Sequence, residues 1–311
     1  MFKGFKIASL LALAAGLGLT LPMAAEAHRS WILPSTTQVD GKAPWITVDA
    51  ATSEGLFDFD SFPLKFDSLT LTGPDGVVTP LTVPTPGHLR STFDVQLSTP
   101  GTYRITASSA SVMGSYTQEG QVKRFRGTEA DLAALPEGIA DLKVSRMSSR
   151  FETFVTSGKG NDTALQPTSE GLELVPVTHP SDLVVGETAT FKFLLDGKPI
   201  AGLSVSIIPG GARFRNGLKD TAATTDAEGQ FTVAWSMAGN YLITASYPPR
   251  PKAPEGEGAK GGADKAGGDK PHDGGPVAGG PGSGQGGGQG GGMDMPPRRD
   301  SYAATFEVLP N

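Results

Sequence analysis

Beyond its first 27 residues, this chain almost never repeats apolar residues every three or four positions. Short runs rich in Val, Ile, Thr, Phe and Tyr instead alternate apolar with polar residues and end at Gly, Pro or Asp. Period two is the signature of a strand with one buried face. In the first half the runs are Ser30 to Leu33, Trp45 to Ala50, Ser68 to Thr72, Ser91 to Leu97 and Gly101 to Ser108. Gly73-Pro74-Asp75-Gly76 and Pro100-Gly101 are turn chemistry, because Pro presets φ and Gly accepts positive φ. The second half carries runs at 172–177, 188–195, 203–208, 231–235, 239–247 and 301–308. Leu195-Asp196-Gly197-Lys198-Pro199 carries the Asp-Gly signal of a tight hairpin. Thr128 to Leu135 is the one helical segment, with Thr128 as N-cap, Asp131 as its capping partner and Pro136 as the stop.

The expected fold is all-β: two antiparallel β-sandwich domains, immunoglobulin- or prealbumin-like, with one short helix. The polar connector from Ser157 to Thr168 divides a domain at 28–160 from one at 171–311. Between 251 and 292, 18 of 42 residues are Gly. Such a stretch buries too little surface to offset its ordering entropy, so 248–297 is expected to be a disordered Gly-rich loop insertion. The runs on its two sides are expected to pair as neighbours, since closing a long loop adds only a few kcal/mol.

Residues 1–27 read as a secretory signal. Lys3 and Lys6 precede an apolar run from Ile7 to Leu21, Pro22 breaks it, and Ala25-Glu26-Ala27 fits the small-x-small cleavage rule. That run is short for a bilayer span, and no later apolar stretch reaches about 18 residues. The expected product is a soluble periplasmic protein with no membrane span after cleavage. The full chain has 26 Lys+Arg against 32 Asp+Glu, a net charge of −6. Losing Lys3, Lys6 and Glu26 makes it −7. No Lys/Arg block stands out, which argues against a nucleic-acid partner. The absence of Cys excludes disulfides, thiolate metal sites and a Cys nucleophile.

Cleavage after Ala27 makes His28 the first mature residue. Its α-amine and imidazole Nδ1 can then chelate one metal in a six-membered ring, a donor set that suits Ni²⁺, Cu²⁺ or Zn²⁺. The plain alternative is that His28 only marks where the signal ends. His88 follows the Pro84–Gly87 turn and precedes the run at Ser91. Were that run to lie beside the N-terminal strand, His88 could add a third nitrogen in a T-shaped set; otherwise it is an exposed turn histidine. His179, before Pro180, is expected to be structural. His272, with Met293, Asp294 and Met295, falls in the Gly-rich stretch as filler. Glu54, Asp58, Asp60 and Asp67 lack the spacing of a calcium loop and read as an acidic face over buried Phe. Lys123-Arg124-Phe125-Arg126 reads as a solvated edge, and Arg298-Arg299 as protection for a strand edge.

Gly171 to Pro176, His179-Pro180, Asp182-Leu183, Gly186-Glu187, Leu195 to Pro199, Thr225-Asp226 with Gly229, and Gly239-Asn240-Tyr241 form a recognisable set. With Trp31-Ile-Leu-Pro34 and the alanine-then-His28 start, the chain resembles the bacterial domain-of-unknown-function family 4198. The resemblance covers most of 28–247 and 301–311. It implies a periplasmic, all-β protein with a transition-metal role, since this family is often labelled a component of nickel or cobalt uptake. The Gly-rich insertion departs from the family pattern. No nucleophile elbow, phosphate loop or HExxH motif is present, so the chain reads as a binding protein and not an enzyme; the enzyme class left open is a carbohydrate-active one, whose paired carboxylates would come from distant strands of the first domain. The expectation is a metal-binding or metal-delivery protein for nickel, cobalt or copper, working with a membrane metal transporter. The alternative is a structural or adhesive sandwich that binds a protein or glycan.

Overall fold

The computed structural model describes residues 28–215, 219–249 and 296–311. The signal segment and residues 250–295 of the Gly-rich stretch lie outside the described residues, and so does His272.

The fold is all-β, as the period-two runs predict. The first half holds β1 (Arg29–Pro34), β2 (Gln38–Val39), β3 (Trp45–Ser53), β4 (Phe62–Pro63), β5 (Ser68–Thr72), β6 (Val78–Pro80) and β7 (Ser91–Gln96). Two 18-residue strands follow, β8 (Gly101–Gln118) and β10 (Ala140–Ser157), with β9 (Gln121–Gly127) and the helix α1 (Glu129–Ala133) between them. The second half adds β11 (Leu172–Pro176), β12 (Thr188–Leu195), β13 (Lys198–Pro199), β14 (Ser204–Pro209), β15 (Thr221–Thr224), β16 (Gln230–Ala234), β17 (Gly239–Tyr247) and β18 (Arg298–Val308).

Local chemistry accounts for the punctuation. Asp196 and Gly197 both take positive φ, 51° and 75°, as a two-residue hairpin turn requires. Thr128 and Asp131 form a reciprocal capping box at the start of α1. Gly101, at φ 138°, opens β8 where a Cβ would stand 2.3 Å from Pro74 Cβ.

Three β-layers result. One four-stranded sheet has β3 at its centre, with β1 on one side and β7 and β4 on the other. A second is built on β12, flanked by β11, β13 and β16. Between them runs a ten-stranded sheet in the order β15-β14-β17-β18-β10-β8-β5-β6, with β2 and β9 added to β10 and β8. Along β17 and β18 the two faces of this sheet serve different cores. Tyr241, Ile243, Tyr302, Ala304 and Phe306 pack under the β12 sheet. Leu242 and Ala303 pack toward the β3 sheet, together with Trp31, Val48, Ile105 and Phe151. The two sandwiches therefore share the middle layer and use opposite faces of it.

The shared layer depends on β18. It pairs antiparallel with β17, so the flanks of the Gly-rich stretch are neighbours, and it also pairs in parallel with β10 from Arg146↔Arg298 to Thr153↔Thr305. Parallel strands need a crossover connection. Here the crossover is the whole second sandwich. The edge-protection role expected for Arg298 and Arg299 is therefore overturned: β18 is an interior strand, and Arg298 instead pairs bidentately with Asp196 and bonds Asp300. The outer halves of β8 and β10, with β9 and α1, form an arm outside both cores. Lys123, Arg124 and Arg126 are exposed on it.

Candidate functional site

Each outer sheet covers only part of its face of the shared layer, so each leaves a groove beside it. The groove next to β1 has a volume of about 460 Å³. Registered rows of side chains make its floor. Ser149, Ser301 and Ser246 form one row across β10, β18 and β17. Phe151, Ala303, Thr244 and Ser206 form the next, across β10, β18, β17 and β14. The third row ends in Leu242 and Ile208, already buried in the core. Hydroxyls thus replace apolar side chains where the cover stops.

β1 borders this groove. Period two puts His28, Ser30 and Ile32 on one side of the strand. Ile32 is buried, while Ser30 and His28 line the groove with Arg29 and Asp220. His28 keeps 48% of its side chain exposed. Its Nε2 lies 3.8 Å from Glu54 Oε1, and its ring packs against Phe62 at 5.6 Å between centroids. The register continues from Arg29↔Ser53, which brings position 28 opposite 54. The Glu54 backbone is held as well: its carbonyl accepts from Arg29 Nη1 at 3.2 Å and its N–H donates to Asp60 at 3.0 Å. Slight burial pushes the Asp60 carboxyl up, but N–H groups of Gly55 and Glu54 and the Ser61 hydroxyl outweigh it and hold the carboxyl below its usual range.

His88 is exposed in the turn before β7. β7 pairs with β3, and β3 separates it from β1. The condition for a three-nitrogen set, a β7 strand directly beside β1, is therefore not met: two lateral spacings of about 4.8 Å each intervene. Among the described residues no group of three or more His, Asp or Glu side chains is placed to hold a metal ion. What the fold assembles at His28 is one imidazole and one carboxylate.

His179 has the structural role its position predicts. Nε2 is 3.0 Å from the Thr102 hydroxyl, and Nδ1 accepts from the Ser181 N–H and lies 2.6 Å from its hydroxyl. Nε2 thus meets β8 and, through the Asn161 carbonyl at 3.4 Å, the connector, while Nδ1 holds the turn at 180–182. The acidic group is dispersed: Asp58 pairs with Arg213 at 3.3 Å, Asp60 caps the Glu54 turn, and Asp67 accepts from Ala110 N–H. Phe66 is buried beneath it, whereas Phe59 and Phe62 stay 38% and 48% exposed.

A second groove of about 650 Å³ lies on the opposite face, over β5, β8 and β10. Its lining includes Thr70, Thr72, Arg104, Thr106, Arg150 and Thr168. Beneath it sits a charged cluster that the sequence reading missed. Glu152 is fully buried and accepts from Arg150 Nε at 2.8 Å, from Thr106 Oγ1 at 2.9 Å and from the Tyr302 hydroxyl. Arg104 Nε is 3.7 Å away. Glu173, also buried, accepts two backbone N–H bonds from Thr168 and Ser169 and approaches Arg150 at 3.7 Å. The available signal was a Glu inside an apolar run, Phe151-Glu152-Thr153-Phe154-Val155, since Glu is almost never buried unless paired.

A protein-family model, "Domain of unknown function (DUF4198)", matches residues 25–248. The chain belongs to DUF4198. The match carries no activity with it. It extends over the shared layer up to β17, and β18 lies beyond it. No curated protein matches this DUF4198 chain in sequence. Among solved structures, a DUF4785 family protein from Legionella pneumophila subsp. pneumophila str. Philadelphia 1 aligns at 8% identity and a TM-score of 0.21, over 69% of this chain and 50% of that one. Escherichia coli alpha-2-macroglobulin activated by porcine elastase aligns at 10% identity and a TM-score of 0.20, over 71% and 30%. The D0-D1 domain of Intimin aligns at 13% identity and a TM-score of 0.19, over 69% and 88%. The chain spans half of the first of these proteins and less than a third of the second. At such scores the likenesses bear on neither the topology nor the function of the DUF4198 chain.

Proposed function

We propose that this DUF4198 chain is exported to the periplasm, trimmed after Ala27, and binds a transition-metal ion (nickel, cobalt or copper) at its new N-terminus for delivery to a membrane transporter. One observation carries this reading: the Glu54 carboxylate faces Nε2 of His28 at 3.8 Å, on the edge of an open groove. Metal-bound imidazoles characteristically present their second nitrogen to a carboxylate, which orients the ring and raises its basicity. With Nε2 on that side, Nδ1 is the nitrogen that closes a six-membered chelate with the α-amine. The reading uses His28 and not His88.

The test combines processing and binding. Exported protein should begin at His28 by N-terminal sequencing and should bind nickel or copper in calorimetric titration. One extra residue before His28 should abolish binding, because the amine leaves chelating reach. Glu54→Gln should weaken binding about 10-fold while leaving the donor nitrogens in place. Equal titration of the native and extended forms would overturn the reading.

The wider groove over Arg104 and Arg150 favours a second reading, a sandwich that binds a protein or glycan partner without metal. It predicts a melting temperature indifferent to nickel and copper.

A further inference from the structure

The wider groove, over β5, β8 and β10, has hydrogen-bond donors to spare but no charge to spare. Register sets its floor in rows across these strands: Thr72 beside Arg104, Thr70 beside Thr106 and Glu152, and Ser68 beside Ser108 and Arg150. Arg104 lines the groove and is only 5% exposed. A guanidinium carries five N–H donors. Arg104 spends one from Nη1 on the Gln166 carbonyl at 3.1 Å, while its buried Nε, 3.7 Å from Glu152, has no hydrogen-bond partner. A buried donor left unmatched costs free energy, so this side chain gains from an acceptor oxygen. The hydroxyls of Ser68, Thr70 and Ser108 share the lining and can donate or accept. Charge is already matched. The guanidiniums of Arg104 and Arg150 are set against four carboxylates, Glu152 and Glu173 beneath the groove and Asp67 and Glu170 in its lining. An anionic ligand would find no unmet positive charge there.

We propose, resting on the metal-free reading above, that the partner is a neutral glycan, held in this groove by the Arg104 guanidinium and the rows of Ser and Thr hydroxyls. A sugar hydroxyl accepts from the guanidinium and exchanges hydrogen bonds with the Ser and Thr side chains without adding charge. Val78 and Leu172 supply apolar lining for the C–H faces of the rings. A volume of about 650 Å³ lies in the range of sites that hold small organic molecules, so a short stretch of the sugar chain fills it. An extended peptide is the poorer fit, because its alternate side chains would meet hydroxyls here and not side-chain pockets.

The test uses residues 28–311, which contain every described element. Cellohexaose, maltohexaose and hexagalacturonate are titrated separately by calorimetry. One of the two neutral sugars should bind, and about 10-fold or more tighter than the acidic one, whose carboxylates would be desolvated without a free cation. Ser108→Phe fills the groove from β8 and should weaken that binding about 10-fold or more; Thr70→Tyr, from β5, does the same if the first variant fails to fold by circular dichroism. Hexagalacturonate binding as tightly as the neutral sugars would overturn the inference, as would folded groove variants that bind unchanged. Binding of none of the three would overturn it too and leave the groove to water or a protein partner. A melting temperature raised by nickel or copper would instead overturn the metal-free reading itself, whatever the sugars do.

Discussion

A carboxylate without solvent exposure must be matched by cations and donors, and Glu152 is matched from both halves of the chain. Arg104 and Thr106 come from β8, Arg150 from β10 itself and Tyr302 from β18. Burial pushes the Glu152 carboxyl up, but Arg150, Arg104 and the Tyr302 hydroxyl outweigh it, so the carboxyl titrates below its usual range. Burial and the Glu152 charge push the Tyr302 phenol far above its own. Removing one partner from such a cluster leaves uncompensated charge. Glu152→Gln should therefore cost about 3 kcal/mol in urea denaturation. A depressed carboxylate contributes stability that is complete above its unfolded pKa and is lost as pH falls through the folded value. Urea midpoints of the native protein should hold down to about pH 4.3 and decline below it. The Gln variant should lose that part of the acid-side decline.

β18 is the element that makes two sandwiches into one object. Phe306 is 1% exposed and stacks on Phe154 of β10 at 5.5 Å and against Phe191 of β12 at 5.1 Å. One ring from the last strand thereby joins the shared layer to the β12 sheet. Phe306→Ala should destabilise the protein by about 3–5 kcal/mol, read from the shift in denaturant midpoint at constant slope. Thr37, between β1 and β2, adds a polar tie by donating its N–H and hydroxyl to Glu307 at 3.2 and 2.6 Å. The arm is the opposite case: α1 buries none of its residues and belongs to neither core. Its hydrogen exchange should be faster than that of β10 between Phe151 and Val155.

At the scale of the molecule, the continuous middle sheet governs cooperativity. A chain of two independent sandwiches would melt in two steps. Here β10 and β18 are shared between layers, and Glu152 draws partners from both halves. Calorimetry should therefore show one transition with equal calorimetric and van't Hoff enthalpies. Two resolved transitions would mean that the β10–β18 ladder contributes little.

Strand identity, turns and the short helix were legible in the sequence. Ser68–Thr72, Thr188–Leu195 and Gly239–Tyr247 are strands at the bounds the alternation predicts, and Thr128 caps α1 through Asp131. These features follow from local sterics, from side-chain period and from which residues tolerate positive φ. Family membership was legible from short phrases, some inside strands, such as Trp31–Pro34 in β1 and Leu172–Pro176 in β11, and others at turns, such as Asp196-Gly197 and Thr225-Asp226. Apart from the pairing of β17 with β18 across the Gly-rich stretch, the partners were not. That β10 runs parallel to β18, that β3 separates β7 from β1 and so parts His88 from His28, and that Glu54 arrives beside His28 are long-range choices of pairing and register. Such choices are decided by which faces can be buried together once the chain has closed on itself, and no single stretch of sequence carries that information.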